Sequence, residues 1–360
     1  MRYPKHLEDN GTIGFIAPSF GCATEPYGSR YDSAKKKFAD MGYKLMEGPN
    51  TKASLGIGKS NTPKACGDEI NDFFIQRSCD IVMSCGGGET MCEDLPFVDF
   101  EGIKKADPKW FIGYSDNANL TFLLPTICDT AAIYGPCVSD FGMTPWHPSI
   151  KDAFSILTGE KLAFDNYDGW ESGWPDRETN PCAPYNITEP YKQIIITPDM
   201  IKTEQTSKET VEKLQNDTLE TCFEGRLIGG CLDVLVSLVG TRFDKVKEFD
   251  EKYKEDGFIW FLESCDLNSM SIRRALWNLN EAGWFKYLKG FLIGRPLQYQ
   301  DDFDGFTPYE ANIDYLKQFN VPIVYNMDLG HLSPMIPIVS GAYAKINAKG
   351  NEIRIEHILK

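Results

Sequence analysis

The chain has 360 residues, of which 42% are hydrophobic and 25% are charged, as in ordinary globular proteins. Its 37 basic and 52 acidic residues give a net charge of −15, which argues against binding to nucleic acids or anionic membranes. Its 11 cysteines are scattered without a CxxC pair, so we expect reduced thiols and no zinc ribbon. The first residues lack the apolar core of a secretory signal, and we expect a cytoplasmic protein.

The first half of the chain alternates apolar runs with helical patterns. Strands are predicted at residues 12–17, 43–46, 79–84 and 111–115, with helices at 30–41 and 63–76 between them. This alternation is typical of a parallel sheet with helices on both faces, in which ligands bind beyond the carboxyl ends of the strands. A glycine cluster at 86–88 and a serine, Ser115, both fall at such ends.

The composition changes between about residues 166 and 190, where Trp170 and Trp174 stand among Pro, Gly and Asp. This segment is predicted to be a linker or a loop lying over a site. Beyond it, the sequence predicts strands at 193–197, 258–262, 290–293, 322–325, 344–346 and 353–358, with helices at 232–239 and 271–282. We therefore predict a first domain over 1–165, a linker over 166–190, and a second α/β or α+β domain over 191–360.

Ser115 is the first candidate for chemistry, because GYSD places it on a sharp turn between a predicted strand and a predicted helix. A hydroxyl at such a turn projects from the sheet edge, beside backbone N–H groups that can hold an oxyanion. The alternative is that Ser115 or Asp116 only caps the helix. The glycine cluster could bring backbone close to an oxyanion, cradle a phosphate or form a plain turn, and it lacks both GxGxxG and a P-loop lysine.

A nucleophilic serine needs a base, and the chain has four histidines. His331 lies in a glycine-containing loop after an apolar run, where an imidazole can be both held and exposed. The other three are His6 near the first residue, His147 in a loop and His357 in the closing strand. Glu263, at the tip of an apolar strand, could orient the imidazole. The alternatives are a surface histidine in a turn and an exposed glutamate at a strand end.

Five blocks, in order, resemble the LD-carboxypeptidase family of serine peptidases, and in particular its branch of microcin C self-immunity peptidases. The blocks are GGGETMCEDLPFVDF (86–100), PKWFIGYSDNANL (108–120), GRLIGGCLDVLVSLVGT (225–241), FLESCD (261–266) and GHLSPMIPIVSG (330–341). Two blocks depart from common family patterns. Gly88-Glu89 stands at the end of the glycine turn, where the family often has GGYG, and Gly229-Gly230-Cys231 replaces GGN.

The resemblance implies a catalytic triad of Ser115, Glu263 and His331. It also implies an oxyanion hole formed by the backbone amides of Asp116 and Gly88, with Gly87 as an alternative. The implied fold is α/β, with a Rossmann-like N-terminal domain that carries the serine and a smaller C-terminal α/β domain, of the swivelling β/β/α type, that carries the other two residues. The family further implies a homodimer without metal or other cofactor.

The activity implied by the resemblance is hydrolysis of an amide through an acyl-enzyme. Its substrate is either an L,D-muropeptide or a conjugate of an aminoacyl or peptidyl group with a nucleotide. Trp170 or Trp174 could stack on the base of such a nucleotide, the alternative being packing within the domain. The candidates for holding a substrate carboxylate are Arg226, Arg273 and Arg274, with surface ion pairing as the alternative. Two rival interpretations are a non-catalytic peptide- or nucleotide-binding protein on the same fold and a nucleotide- or flavin-dependent enzyme.

Overall fold

The computed structural model describes residues 1–56, 58–173, 177, 179–215 and 219–360. In chain order, the strands in these ranges are β1 (Thr12–Ile16), β2 (Lys44–Glu47), β3 (Ile81–Ser84), β4 (Trp110–Gly113), β5 (Ala132–Tyr134), β6 (Ala163–Asp165), β7 (Gly169–Trp170), β8 (Glu189–Pro190), β9 (Ile194–Ile196), β10 (Glu220–Cys231), β11 (Phe258–Glu263), β12 (Leu288–Gly294), β13 (Ile323–Met327), β14 (Ile338–Ser340), β15 (Tyr343–Lys349) and β16 (Glu352–Ile358). The α-helices are α1 (Tyr27–Asp40), α2 (Pro63–Asn71), α3 (Phe100–Lys105), α4 (Ala118–Cys128), α5 (Pro148–Thr158), α6 (Pro198–Lys202), α7 (Lys208–Leu214), α8 (Leu232–Leu238), α9 (Val246–Tyr253), α10 (Ser269–Glu281) and α11 (Pro308–Leu316).

One compact unit comprises residues 1–162, 173–186 and 337–341. Its six-stranded sheet has the order β14-β5-β4-β3-β1-β2. The strands from β1 to β5 pair in parallel, and β14 pairs antiparallel to β5. Every residue of β3 and β4 is buried, as expected for central strands of a parallel sheet whose two faces are covered. This is the Rossmann-like parallel sheet that the sequence predicted.

The second unit comprises residues 163–172, 187–336 and 342–360. Its eight-stranded sheet has the order β6-β16-β15-β10-β11-β12-β13-β9. The strands β10 to β13 are parallel to one another, whereas the pairings at both flanks are antiparallel. Burial alternates along β15 and β16, because one face of this flank meets solvent. This unit therefore has the α/β architecture that the sequence predicted for the second half of the chain.

The long strand β10 was not predicted from the sequence. Its glycines lower strand propensity, so the run GRLIGGC lacks the signature of a strand. In the sheet, a Cβ added at Gly229 would lie 1.8 Å from the carbonyl oxygen of Phe261 on the neighbouring strand. Glycine is therefore required here by the close approach of two backbones, and sequence patterns do not show such an approach.

The division into units differs from the predicted ranges, and the predicted linker over 166–190 is itself divided, with residues 173–186 in the first unit. Residues 337–341 lie in the predicted second domain, yet β14 completes the sheet of the first unit by pairing with β5. Residues 163–165, which were predicted to end the first domain, belong to the second unit, where β6 pairs with β16. Both exchanges depend on partners more than 150 positions away along the chain, which local periodicity cannot indicate.

Asp250 on α9 carries a buried carboxyl group that should make stability depend on pH. It is 1% exposed, and neither of its carboxylate oxygens has a hydrogen-bond partner among the described residues. Burial raises the pKa of Asp250 to about 8 from an ordinary value of 3.8. Since the folded chain keeps a proton that the unfolded chain releases, this group should lower stability progressively from about pH 4 to about pH 8.

Leucine at this position, Asp250→Leu, is expected to raise the free energy of unfolding at pH 8 by about 2–4 kcal/mol, because it removes a costly buried carboxyl group. The gain should be clearly smaller at pH 5, where the wild-type side chain is neutral in the folded state. Urea titrations at both pH values measure the difference, with exposed Asp107→Leu as the control. An equal gain at the two pH values would contradict this assignment.

Candidate active site

Ser115 lies where β4 leads into α4. β4 ends at Gly113, and a 3-10 turn over Ser115–Asn117 connects it directly to the helix. Ser115 has a φ of +63°, a left-handed conformation that costs a residue with a Cβ about 1–2 kcal/mol. Its backbone N–H donates a hydrogen bond of 3.2 Å to the hydroxyl of Tyr134. A helix cap has no need of this conformation, which is typical of a nucleophile held on a strained strand-to-helix turn.

The glycine cluster lies directly against Ser115. A Cβ added at Gly87 would lie 2.9 Å from both Cβ and Oγ of Ser115. Gly88 has a φ of +156°, and a Cβ there would lie 2.0 Å from Oγ of Ser19. The carbonyl of Gly86 accepts a hydrogen bond of 2.8 Å from the side-chain amide of Asn117, which ties this turn to the serine turn. The arrangement presents backbone, without intervening side chains, to the serine hydroxyl.

Asp116 is buried, and its side chain is engaged within the first unit. Its carboxylate accepts hydrogen bonds from Oγ of Ser19 at 2.5 Å and from the backbone N–H of Met91 at 2.9 Å. Burial raises the pKa of Asp116, and these hydrogen bonds oppose the rise. Asn119 donates a further bond of 2.8 Å to the Asp116 carbonyl. Any role for Asp116 in an oxyanion hole therefore falls to its backbone amide.

Ser19 is a positioning residue that the sequence analysis did not single out. Its hydroxyl is bound by Asp116, and its carbonyl accepts a bond of 2.6 Å from the N–H of Ser60. The next residue, Phe20, donates its N–H to the carbonyl of Gly87 at 2.8 Å. Ser19 thus joins the serine turn to the glycine turn. Its place in the loop after β1, at a strand end, was the available signal.

In the second unit, Glu263 and His331 form a buried pair. Glu263 is the last residue of β11 and is 2% exposed. Its Oε2 lies 2.9 Å from Nδ1 of His331. Burial lowers the pKa of His331, but the negative charge of Glu263 and hydrogen bonds to Glu263 and Cys265 raise it well above its ordinary value. A carboxylate bound at Nδ1 makes Nε2 the basic nitrogen, as in a general base.

Two glycines make room for the Glu263 carboxylate. Gly330, directly before His331, has a φ of +102°, and a Cβ there would lie 2.5 Å from Oε2 of Glu263. At Gly294, the last residue of β12, a Cβ would lie 2.8 Å from Cβ of Glu263. Larger residues at either position would therefore push the carboxylate away from the imidazole.

Two further carboxylates support the loops that carry this pair. Asp233 accepts hydrogen bonds from the backbone N–H groups of Cys265 at 3.0 Å and Asp266 at 2.9 Å, which fixes the loop after Glu263. Asp328 lies three positions before His331. It is 0% exposed and forms an ion pair of 3.0 Å with Arg295. Neither was selected from the sequence, although both are acidic residues near the ends of predicted elements.

The other three histidines make local structural contacts. His147 caps the N-terminus of α5, where its Nδ1 accepts the N–H of Ser149 at 3.2 Å. His6 lies 3.1 Å from the carbonyl of Ile156, and His357 is buried beside the ring of Phe164. These contacts account for each of them through packing and capping.

The arginines considered for a substrate carboxylate have partners within the second unit. Arg226 is 2% exposed, with its Nε 3.0 Å from a carboxylate oxygen of Asp256. It pairs with Phe258, at the opposite end of β11 from Glu263, so the structure does not bring it to the buried pair. The other two lie on α10, where Arg273 lies over the ring of Tyr315 and Arg274 donates to Ser271.

Trp170, one of the two tryptophans proposed for stacking on a base, is 8% exposed. The guanidinium of Arg295 lies 4.4 Å from its ring centroid, and the ring of Tyr299 meets it edge-on at 5.2 Å. These contacts are of the packing kind, so a stacked base would have to use the ring face opposite Arg295. Trp174, the other candidate, lies outside the described residues.

Two family models match the chain. The LD-carboxypeptidase N-terminal domain matches residues 13–135, and the LD-carboxypeptidase C-terminal domain matches residues 224–346. The first range contains Ser115, and the second contains Glu263 and His331. Together these ranges cover more than half of the chain. The chain therefore belongs to the LD-carboxypeptidase family of peptidases, which confirms the resemblance drawn from its sequence blocks.

Curated relatives align over almost the whole chain. A Vibrio cholerae protein named as a carboxypeptidase is 26% identical over 99% of this chain and 98% of its own length. The microcin C7 self-immunity protein MccF of Escherichia coli is 25% identical over 96% of this chain and 92% of its own length. A Bacillus subtilis protein named for murein peptide carboxypeptidase activity is 25% identical over 98% of this chain and 94% of its own length. A peptidase-type function thus holds at the level of the family.

Solved structures show the same fold. An MccF-like protein from Bacillus anthracis superimposes with a TM-score of 0.78, at 19% identity, over 99% of this chain and 100% of its own. MccF in complex with aspartyl sulfamoyl adenosine superimposes with a TM-score of 0.75, at 21% identity, over 99% of this chain and 98% of its own. The architecture of this chain is therefore that of the MccF-like proteins.

Metal ligands and membrane-spanning helices were also considered for the described ranges by their side chains and hydropathy. No group of three or more His, Cys, Asp or Glu side chains in those ranges is arranged to hold a metal ion. None of the helices described there is long and apolar enough to cross a bilayer.

Proposed function

We propose that this chain is a serine peptidase that hydrolyses an amide bond through an acyl-enzyme. Ser115 is the nucleophile, His331 is the general base, and Glu263 orients the imidazole. The observation that carries the proposal is the buried hydrogen bond of 2.9 Å between Glu263 and His331. The left-handed turn at Ser115 and the bare glycine backbone beside it support the same chemistry independently.

In the proposed mechanism, Nε2 of His331 takes the proton of the Ser115 hydroxyl while Oγ attacks the carbonyl carbon. The oxyanion of the tetrahedral intermediate accepts hydrogen bonds from the backbone amides of Asp116 and of Gly88 or Gly87. The imidazolium, stabilised by Glu263, then protonates the leaving nitrogen. Water, deprotonated by the same imidazole, hydrolyses the acyl-serine and restores the hydroxyl.

Two classes of substrate fit this chemistry. Aminoacyl or peptidyl conjugates of a nucleotide are supported by the relationship to MccF, which has been solved with an aspartyl sulfamoyl adenosine. L,D-muropeptides are supported by the Bacillus subtilis relative that is named for murein peptide carboxypeptidase activity. Both offer a carbonyl bound to nitrogen for Ser115 to attack, and they differ in the group that leaves.

Incubation of the purified chain with an L,D-tetrapeptide and, separately, with an aspartyl-adenylate mimic tests the proposal, with products read by mass spectrometry. Cleavage of either substrate, together with labelling of Ser115 by a fluorophosphonate, is the expected result. The products identify the substrate class. Binding of a substrate without cleavage and without labelling would instead establish a non-catalytic binding protein on the same fold.

A further inference from the structure

A cavity of about 570 Å³ opens in the second unit, and its described lining residues all belong to that unit. Arg295, which directly follows β12, forms part of its wall. Tyr325 on β13 and Ile194 on β9 form another part. The cavity therefore lies beside the carboxyl ends of β12 and β13. These strands belong to the same sheet as β11, which ends at Glu263.

The charge around the cavity is opposite in sign to that of the whole chain. Lys192 and Lys208 line it, are exposed, and make no ion pair with any residue that the structure describes. Arg295 adds a third cation, which is ion-paired with Asp328, and Glu212 is the one acidic residue among the described lining residues. In a chain with a net charge of −15, two unpaired lysines beside a buried guanidinium create a local site for anions.

Arg295 is 1% exposed and has hydrogen-bonding capacity left over. Its Nη2 lies 3.0 Å from the carboxylate of Asp328, but its Nε and Nη1 have no hydrogen-bond partner in the described part of the chain. Leaving a buried donor unsatisfied costs about 1–3 kcal/mol, more for charged groups. The ring of Trp170 holds the guanidinium by stacking, which uses none of its N–H groups. These donors are therefore available to an acceptor that comes from outside the chain.

The cavity adjoins the loop that carries His331, because its lining residue Arg295 forms an ion pair with Asp328, three positions before that histidine. Glu263 ends β11, and Arg295 follows the next strand of the sheet, while β13 and β9 lie one and two strands further on. Neighbouring strands are about 4.8 Å apart, so the cavity extends from roughly 5 Å to roughly 14 Å across the sheet from the strand of Glu263. This is the span of a dipeptide or of a nucleoside with its linking group.

We propose that this cavity binds an anionic group of the substrate. Lys192, Lys208 and Arg295 hold this phosphate or carboxylate, and Trp170 and Tyr299 line its apolar side. The inference rests on the proposed function for the identity of the substrate, but binding of the anion does not require hydrolysis. The two substrate classes share this chemistry, since nucleotides carry phosphate and muropeptides carry carboxylates.

Binding should be measured by calorimetry in the Ser115→Ala background, so that neither probe is consumed. The probes are adenosine monophosphate and the L,D-tetrapeptide. In Lys192→Ala/Lys208→Ala, the Kd of the recognised probe should rise at least tenfold, and its dependence on salt should weaken. The matched control is Lys202→Ala/Lys213→Ala, which removes two charges from α6 and α7 outside the cavity and should change Kd less than twofold.

Comparison of the two probes identifies the source of the anion. Tighter binding of adenosine monophosphate assigns the cavity to the nucleotide class, and tighter binding of the tetrapeptide assigns it to the muropeptide class. The proposal is wrong if neither probe binds the parent chain, or if the cavity variant binds both as tightly as the parent.

Turnover provides a separate readout. In the chain with Ser115 intact, the same two substitutions should raise KM and leave kcat unchanged, because they remove binding and not chemistry. If the chain cleaves neither substrate while the calorimetric losses are still observed, the proposed hydrolysis fails and the anion cavity stands. If cleavage occurs with unaltered KM and Kd, the cavity assignment fails alone.

Discussion

Replacement of Ser115 by alanine is expected to lower kcat/KM for amide hydrolysis by at least about 10³-fold, because the proposed acyl intermediate forms on its hydroxyl. Labelling by a fluorophosphonate should disappear in the same variant. Rates of product formation by mass spectrometry and fluorescence of the labelled band measure the two effects. Since catalysis by binding and by the oxyanion hole can persist without the nucleophile, a small residual rate is compatible with this expectation.

Two companion variants show that the loss is chemical. Ser155→Ala removes another buried serine hydroxyl of the first unit, on α5, and should retain full activity and labelling. Ser115→Gly should be as inactive as the alanine variant yet about 1 kcal/mol more stable, because glycine adopts a φ of +63° without strain. Retained labelling in Ser115→Ala would show that the nucleophile lies elsewhere.

Loss of the Glu263–His331 pair should have an effect of similar size. His331→Ala should reduce kcat/KM by about 10³-fold or more, and Glu263→Gln by about 10²–10⁴-fold, because the base is removed in one case and loses its orienting charge in the other. The charge of Glu263 holds the pKa of His331 above its ordinary value. Since the base acts in its deprotonated form, kcat/KM should rise with pH through this pKa, and in Glu263→Gln that rise should move to lower pH.

A pH profile of kcat/KM separates this role from a merely structural one. The control Asp266→Asn removes a carboxylate from the same loop, on an exposed side chain, and should keep the wild-type profile. Circular dichroism should show that all these variants remain folded. A Glu263→Gln variant with wild-type rate and profile would refute the orienting role.

The sequence alone placed most strands of the two sheets to within a few residues, although it missed β5, β6, β10 and β14. It did so because apolar runs of four to seven residues, bounded by glycine and polar positions, have few other interpretations in an alternating α/β chain. It also offered Ser115, Glu263 and His331 as candidates, since each stands at the end of an apolar run or just beyond it, and the resemblance then implied that they form a triad. The ordered blocks then gave the family, which the family models confirm.

Only the tertiary structure decided how these residues are held. The left-handed φ of Ser115 is a backbone angle that no residue pattern encodes. The contact of Ser19 with Asp116 and the hydrogen bond between Glu263 and His331 join residues that are distant in the chain. The strand β14 joined the first sheet for the same reason, because its partner lies some 200 positions earlier. Periodicity reports which face of an element is buried, whereas packing between distant segments decides which side chains meet.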